Sequence, residues 1–162
     1  EDQQRVLQRI VGPPGAADEP PRRFMNWNEV RKLAAHPLAT VGAHTIHHYN
    51  LKRLSADAAL REMTGSAEIL EIETGTRPRH FAFPYGFAAA AGAREVELAR
   101  EAGFESAVTT RHGVVLPGHE RHLHALPRIS INGRYQRLRY VRTLMSGLTT
   151  PIANGGRRLV TV

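Results

Sequence analysis

Residues 39–48 read Ala-Thr-Val-Gly-Ala-His-Thr-Ile-His-His. A short apolar run containing the β-branched residues Thr40 and Val41 stops abruptly at a cluster of imidazoles, so Ala39 to Ala43 is expected to be a buried strand delivering His44 at its C-terminal end. Upstream, Asn26 followed by Glu29 forms a capping-box pattern, and Val30, Leu33 and Ala34 recur at helical spacing. A helix over Trp27 to Ala35, ended by His36-Pro37, follows. Downstream, Ser55 caps a long helix in which Leu60, Met63, Ala67 and Leu70 share a face, and Gly75 closes it. His80 to Phe83 reads as a strand running into the turn Pro84-Tyr85-Gly86. Residues 93–102 form a helix stopped by Gly103, Phe104 to Thr109 and Leu126 to Ile131 read as strands, and Leu138, Val141, Leu144 and Met145 form the apolar face of a last helix. This alternation defines an α/β chain with a parallel sheet and crossover helices, either an open sheet or a (β/α) barrel. Both architectures place their chemistry at the C-terminal ends of strands, where His44 and the Pro84-Tyr85-Gly86 turn fall together.

The composition bounds the alternatives. At 162 residues the chain holds one domain or part of a larger one. Cysteine is absent, which excludes disulfide frameworks, thiolate zinc sites and thiol nucleophiles. No apolar run reaches membrane-spanning length. The net charge of +7 is unevenly spread: residues 121–162 carry eight arginines and no acid, whereas the remainder is near balance. Arg134, Arg137, Arg139 and Arg142 fall at helical spacing, a pattern read first as a solvated helix face and second as a surface for an anionic polymer. Helix-turn-helix, zinc-finger and glycine-aromatic signatures are missing, so no nucleic acid is expected as a partner. Ser55, Ser66 and Ser106 sit in no nucleophile elbow.

His44 and His48 lie four positions apart directly after the expected strand. A tight loop or helical turn brings such side chains to one side, the arrangement two imidazoles need to share a divalent metal. His47 is expected to point away from the pair as a neighbouring group. Pro84-Tyr85-Gly86 taken alone is an ordinary turn.

Beyond spacing, His44-Thr45-Ile46-His47-His48, preceded by Gly42-Ala43 and followed by Asn50-Leu51, resembles the H-[ST]-x-x-H motif of the polysaccharide deacetylase family, the NodB homology domain of carbohydrate esterase family four. Phe81-Ala82-Phe83-Pro84-Tyr85-Gly86 resembles that family's Pro-Tyr-Gly strand-end motif, in the branch acting on bacterial exopolysaccharides or chitin-like oligomers. Ala82 stands where many members have arginine. Ala107 to Arg111 and Leu126-Pro127-Arg128-Ile129 extend the likeness over roughly residues 24–145.

The resemblance implies a partial (β/α) barrel with its first strands missing, and zinc or another divalent metal held by His44 and His48. It implies hydrolysis of N-acetyl groups on a polysaccharide or oligosaccharide, with the Tyr85 backbone N–H donating to the oxyanion and Pro84 and Gly86 shaping the substrate site. Arg128 occupies the position of the family's general-acid histidine. His112, His119, His122 and His124, in the preceding segment, are possible substitutes or simply loop residues. The family's paired catalytic aspartates have no counterpart: Asp2, Asp18 and Asp57 are the only aspartates, none follows a strand, and Asp57 suits the first turn of a helix. The expected organisation is an N-terminal remnant and linker over 1–23, with a short helix in 1–11 and a Gly/Pro-rich stretch in 12–21. The deacetylase-like domain over 24–148 and a C-terminal tail over 149–162 follow. A barrel without its early strands has open sheet edges, so the chain on its own is expected to be unstable or self-associating. The competing reading is an inactive carbohydrate- or polyanion-binding module.

Overall fold

The computed structural model describes residues 24–133 and 135–162. The helix and linker expected in residues 1–23, and Arg134, lie outside these. The first helix, α1 (Trp27–Ala34), begins at the capping box: Asn26 Oδ1 accepts from Glu29 N–H at 3.0 Å and Asn26 N–H donates to Glu29 Oε2 at 2.8 Å. The long helix α2 (Ala56–Thr74) starts with Ser55 Oγ accepting from Ala58 N–H and stops at Gly75, whose φ of 75° needs no Cβ to be tolerated. Then follow β1 (His80–Ala82), α3 (Ala93–Glu101), β2 (Ser106–His112), β3 (Leu126–Arg128), α4 (Leu138–Met145) and α5 (Thr149–Ala153).

The sheet runs β1-β2-β3, parallel throughout, in the register Ala82–Val108–Leu126. Helix α3 is the crossover between β1 and β2, α2 joins the bridge at Ala43 to β1, and two short 3-10 turns lie between β2 and β3; parallel pairing requires such long connections. Phe81 and Phe83, two residues apart, point to one face and meet edge-on with centroids 5.2 Å apart; Phe81 also packs against Phe104 at 5.0 Å. They form a core with Leu51, Ala59, Met63, Ala67, Leu98 and Ala107. Buried alanines from α2 and α3, Ala59, Ala67 and Ala99, line this core.

Two expected elements differ. Ala39 to Ala43 is not a full strand: only Ala43 pairs, donating its N–H to His80 O at 2.8 Å and accepting from Ala82 N–H at 2.9 Å. The stretch beside it before β1, residues 77–79, forms no strand, so pairing ends at one bridge. The face Leu138–Val141–Leu144–Met145 is helical, but Leu138 and Met145 are each 62% exposed, so α4 covers no core with them. The segment after α4 packs back on the end of β2. Thr149 Oγ1 meets His112 Nε2 at 2.8 Å, Asn154 Nδ2 donates to His112 O at 2.8 Å, and the buried His119 reaches Val160 O through Nε2 at 3.1 Å.

Candidate metal and oxyanion site

The Ala43 bridge lays His44 beside the end of β1, where its Nδ1–H donates to Ala82 O at 2.6 Å. That bond fixes the tautomer and leaves Nε2 as an acceptor facing outward, the state a metal-ligating histidine needs. A tight turn follows. Thr45 and His48 both adopt left-handed backbone, with φ of 66° and 58°, conformations that cost a non-glycine residue of order 1–3 kcal/mol each unless the surroundings enforce them. Thr45 Oγ1 accepts from His48 N–H at 3.0 Å and closes the turn.

The result is that the His44 and His48 rings face each other at 4.8 Å between centroids, inclined by 68°. A zinc–nitrogen bond of about 2.0–2.1 Å places a ring centroid roughly 3.2 Å from the ion, and a tetrahedral angle then separates two centroids by about 5 Å. The observed separation therefore fits two corners of one tetrahedral site. Among the described residues no group of three His, Cys, Asp or Glu side chains could hold a metal. Asp57, the one aspartate among them, sits in the first turn of α2, as its position in the sequence led us to expect.

His47 turns away from the pair. Its Nδ1–H donates to Glu62 Oε1 at 2.6 Å, its backbone N–H and that of Ile46 donate to Glu62 Oε2 at 2.9 and 3.1 Å, and its ring stacks on Tyr49. Burial alone would raise the Glu62 carboxyl, but the hydrogen bonds from His47 and Ile46 outweigh it and hold the group below the usual glutamate value. Sequence reasoning missed Glu62. The stripe of α2 that is buried runs Ala59–Glu62–Met63–Ser66–Ala67, rotated from the expected Leu60–Met63–Ala67–Leu70 face, and the acid at the i+3 position was the signal available.

At the end of β1, Pro84 and Gly86 are buried and Tyr85 is exposed, with φ of 61° at Tyr85 and 63° at Gly86. Thr110 holds this turn from β2: its Oγ1 donates to Tyr85 O at 2.5 Å and its N–H to Gly86 O at 3.0 Å. A Cβ on Gly86 would lie 2.5 Å from Thr110 N, so the close approach admits only glycine. Among the described residues no oxygen accepts the Tyr85 N–H, which leaves one rigid donor available. The Tyr85 ring meets His48 edge-on at 4.9 Å, bringing the two motifs together. His47, His48, Tyr49, Asn50, Arg53, Leu54 and Tyr85 line a cavity of about 230 Å³. A larger one of about 470 Å³ between Val114 and Pro151 contains none of these groups.

Arg128 ends β3, exposed; it pairs with His112, and the irregularity between Val108 and His112 sets it further along β2 than Thr110, which holds the Tyr85 turn. One strand intervenes, a lateral separation of about 10 Å. Of the preceding histidines, His112, His119 and His124 are tied to Thr149 Oγ1, Val160 O and Phe104 O, which gives them structural work, and His122 is exposed.

A parallel α/β sheet thus carries two imidazoles and a free turn N–H at one rim. The chain matches the family model for polysaccharide deacetylase over residues 7–107, more than half its length, and it belongs to that family. Among solved structures it is similar to the Streptococcus pyogenes deacetylase PplD in complex with acetate (TM-score 0.65, 19% identity, covering 85% of this chain and 54% of that one). It is similar also to a polysaccharide deacetylase from Bacillus cereus (0.65, 19%, 88% and 46%) and to a de-N-acetylase from Aggregatibacter actinomycetemcomitans (0.62, 14%, 81% and 57%). The chain thus spans about half the length of these structures, and at such identities the likeness is one of fold. No curated protein matches it.

Proposed function

We propose that this chain carries the histidine-and-oxyanion half of a metal-assisted deacetylase site, acting on N-acetyl groups of a polysaccharide or oligosaccharide. Family membership supports the reaction class, and the single observation that carries the site is the His44–His48 pair, with His44 Nε2 kept free by the bond from its Nδ1–H to Ala82 O. His44 and His48 would hold the ion. Zinc at this place supplies Lewis acidity, lowering the pKa of a water to about 7 and polarising the amide carbonyl. The Tyr85 N–H donates to the acetamide oxygen as negative charge grows there, from a turn that Thr110 makes rigid. The cavity between His48, Tyr49 and Tyr85 offers aromatic edges to a sugar ring. In the net reaction water adds its oxygen to the acetyl carbon, the C–N bond breaks, and the nitrogen leaves as an amine after gaining a proton. The Arg128 guanidinium offers only N–H donors and no acceptor, so its part is to hydrogen-bond substrate oxygens at the C-terminal edge of the sheet.

The test is a zinc competition titration of the chain and of a His44→Ala/His48→Ala double variant, followed by acetate release from N-acetylglucosamine oligomers. Binding that disappears in the variant is expected. Equal, weak binding by both would remove the metal assignment and leave the carbohydrate-binding reading in its place.

A further inference from the structure

Resting on the metal-site reading above, we propose that Glu62 is the positioning residue of this site: its carboxylate, seated on α2, sets the turn that places His48 opposite His44. The two histidines are held by different means. His44 is anchored to the sheet through the Ala43 bridge and Ala82 O. His48 has no such anchor, and its place depends on the turn 45–48, which includes two non-glycine residues at positive φ.

Between those two residues the N–H groups of Ile46 and His47 converge on one oxygen, Glu62 Oε2, while the His47 ring occupies Oε1. Consecutive N–H groups flanked by left-handed residues form an anion-binding concavity, and here the anion is a side chain of the protein itself. With the carboxylate removed, two backbone donors and an imidazole lose their partner at once. Glu62 is 8% exposed and its oxygens are already engaged by three donors, so it is unavailable to act on substrate. The side chain acts through the turn.

A second, independent feature of α2 completes the seat. Gly65 lies one turn after Glu62, and a Cβ there would stand 2.6 Å from Ile46 Cδ1. The helix therefore lacks a side chain where the apolar crest of the turn rests and carries a charge where its N–H groups point. Helix α2 is 19 residues long and capped at both ends, a rigid reference for a strained loop.

The experiment uses the full chain, with zinc alone as the probe. In Glu62→Ala, amide hydrogen exchange at Ile46 and His47 is expected to rise at least tenfold while the amides of Ala67 to Leu70 keep their rates. Zinc affinity is expected to fall about 10–100-fold, the usual scale for losing a group that orients a ligand. Glu62→Gln keeps an oxygen for both N–H groups and is expected to restore exchange and affinity to within a few-fold of wild type, which a loss of charge or a general loss of stability would not do. Unchanged exchange at Ile46 and His47 in Glu62→Ala, or a Gln variant as impaired as the Ala variant, overturns the proposal. If wild type binds zinc no better than the His44→Ala/His48→Ala chain, it is the metal reading that fails, and the amide rates still decide whether Glu62 holds the turn.

Discussion

Replacing Gly86 by alanine tests the claim that close approach of the Pro84-Tyr85-Gly86 turn to β2 fixes the oxyanion donor. Two costs add. Gly86 has φ of 63°, and an L-residue held there loses about 1–2 kcal/mol. The new Cβ would also stand 2.5 Å from Thr110 N and 3.1 Å from Thr109 C, backbone atoms within a strand paired on both sides. They cannot swing aside, so overpacking adds about 1–3 kcal/mol. Gly75 is the control: its φ is 75° but nothing lies within 4 Å of its virtual Cβ, so Gly75→Ala carries the conformational term alone. With a melting shift of roughly 2–4 °C per kcal/mol at this size, about 10 °C is expected for Gly86→Ala and about 4 °C for Gly75→Ala. Parallel thermal melts by circular dichroism at one protein concentration measure both. Equal shifts in the two variants would refute the reasoning, because the contact with Thr110 would then contribute nothing.

Two other outcomes follow from particular bonds. The Glu62 carboxyl is held below its ordinary value of 4.5 in the folded chain, so the folded state favours its ionised form. Its stabilisation is complete above that value and is lost as pH falls through the folded one. The stability difference between wild type and Glu62→Gln in urea should be flat near neutrality and shrink below about pH 4.5; a difference that stays constant on further acidification contradicts the assignment. His119 is buried and joins Leu116 to Val160. His119→Ala leaves a buried carbonyl unpaired, which costs about 1–3 kcal/mol. Faster proteolytic clipping after α5 should accompany that loss, and an unchanged digestion pattern would show that the C-terminal segment is held elsewhere.

Much of the fold was legible because its signals are local. The capping box at Asn26, Ser55 before α2, glycines after α2 and α3, and the apolar runs of β1 and β2 each report on a few neighbouring residues, and the structure reproduces them within a few positions. The strand over Ala39 to Ala43 is shorter than expected for the same reason: whether an apolar run pairs depends on the chain lying beside it, and residues 77–79 there form no strand. The exposed face of α4 is a parallel case, since periodicity identifies a helix without telling what covers it.

At the site, His44, His48 and Tyr85 could be singled out from the sequence, because spacing after a strand and a turn at a strand end are one-dimensional patterns. The sequence alone determined the parallel α/β class, the histidine motif and its family resemblance. Only the tertiary structure decided how the motif is held: the Ala82 carbonyl that orients His44, Thr110 reaching from β2 to the Tyr85 turn, and Glu62 seated under residues 46 and 47. Those partners lie between 15 and 38 positions away along the chain. Hydrogen bonds made across such separations depend on the packing of helix against sheet, and no pattern of neighbouring residues encodes them.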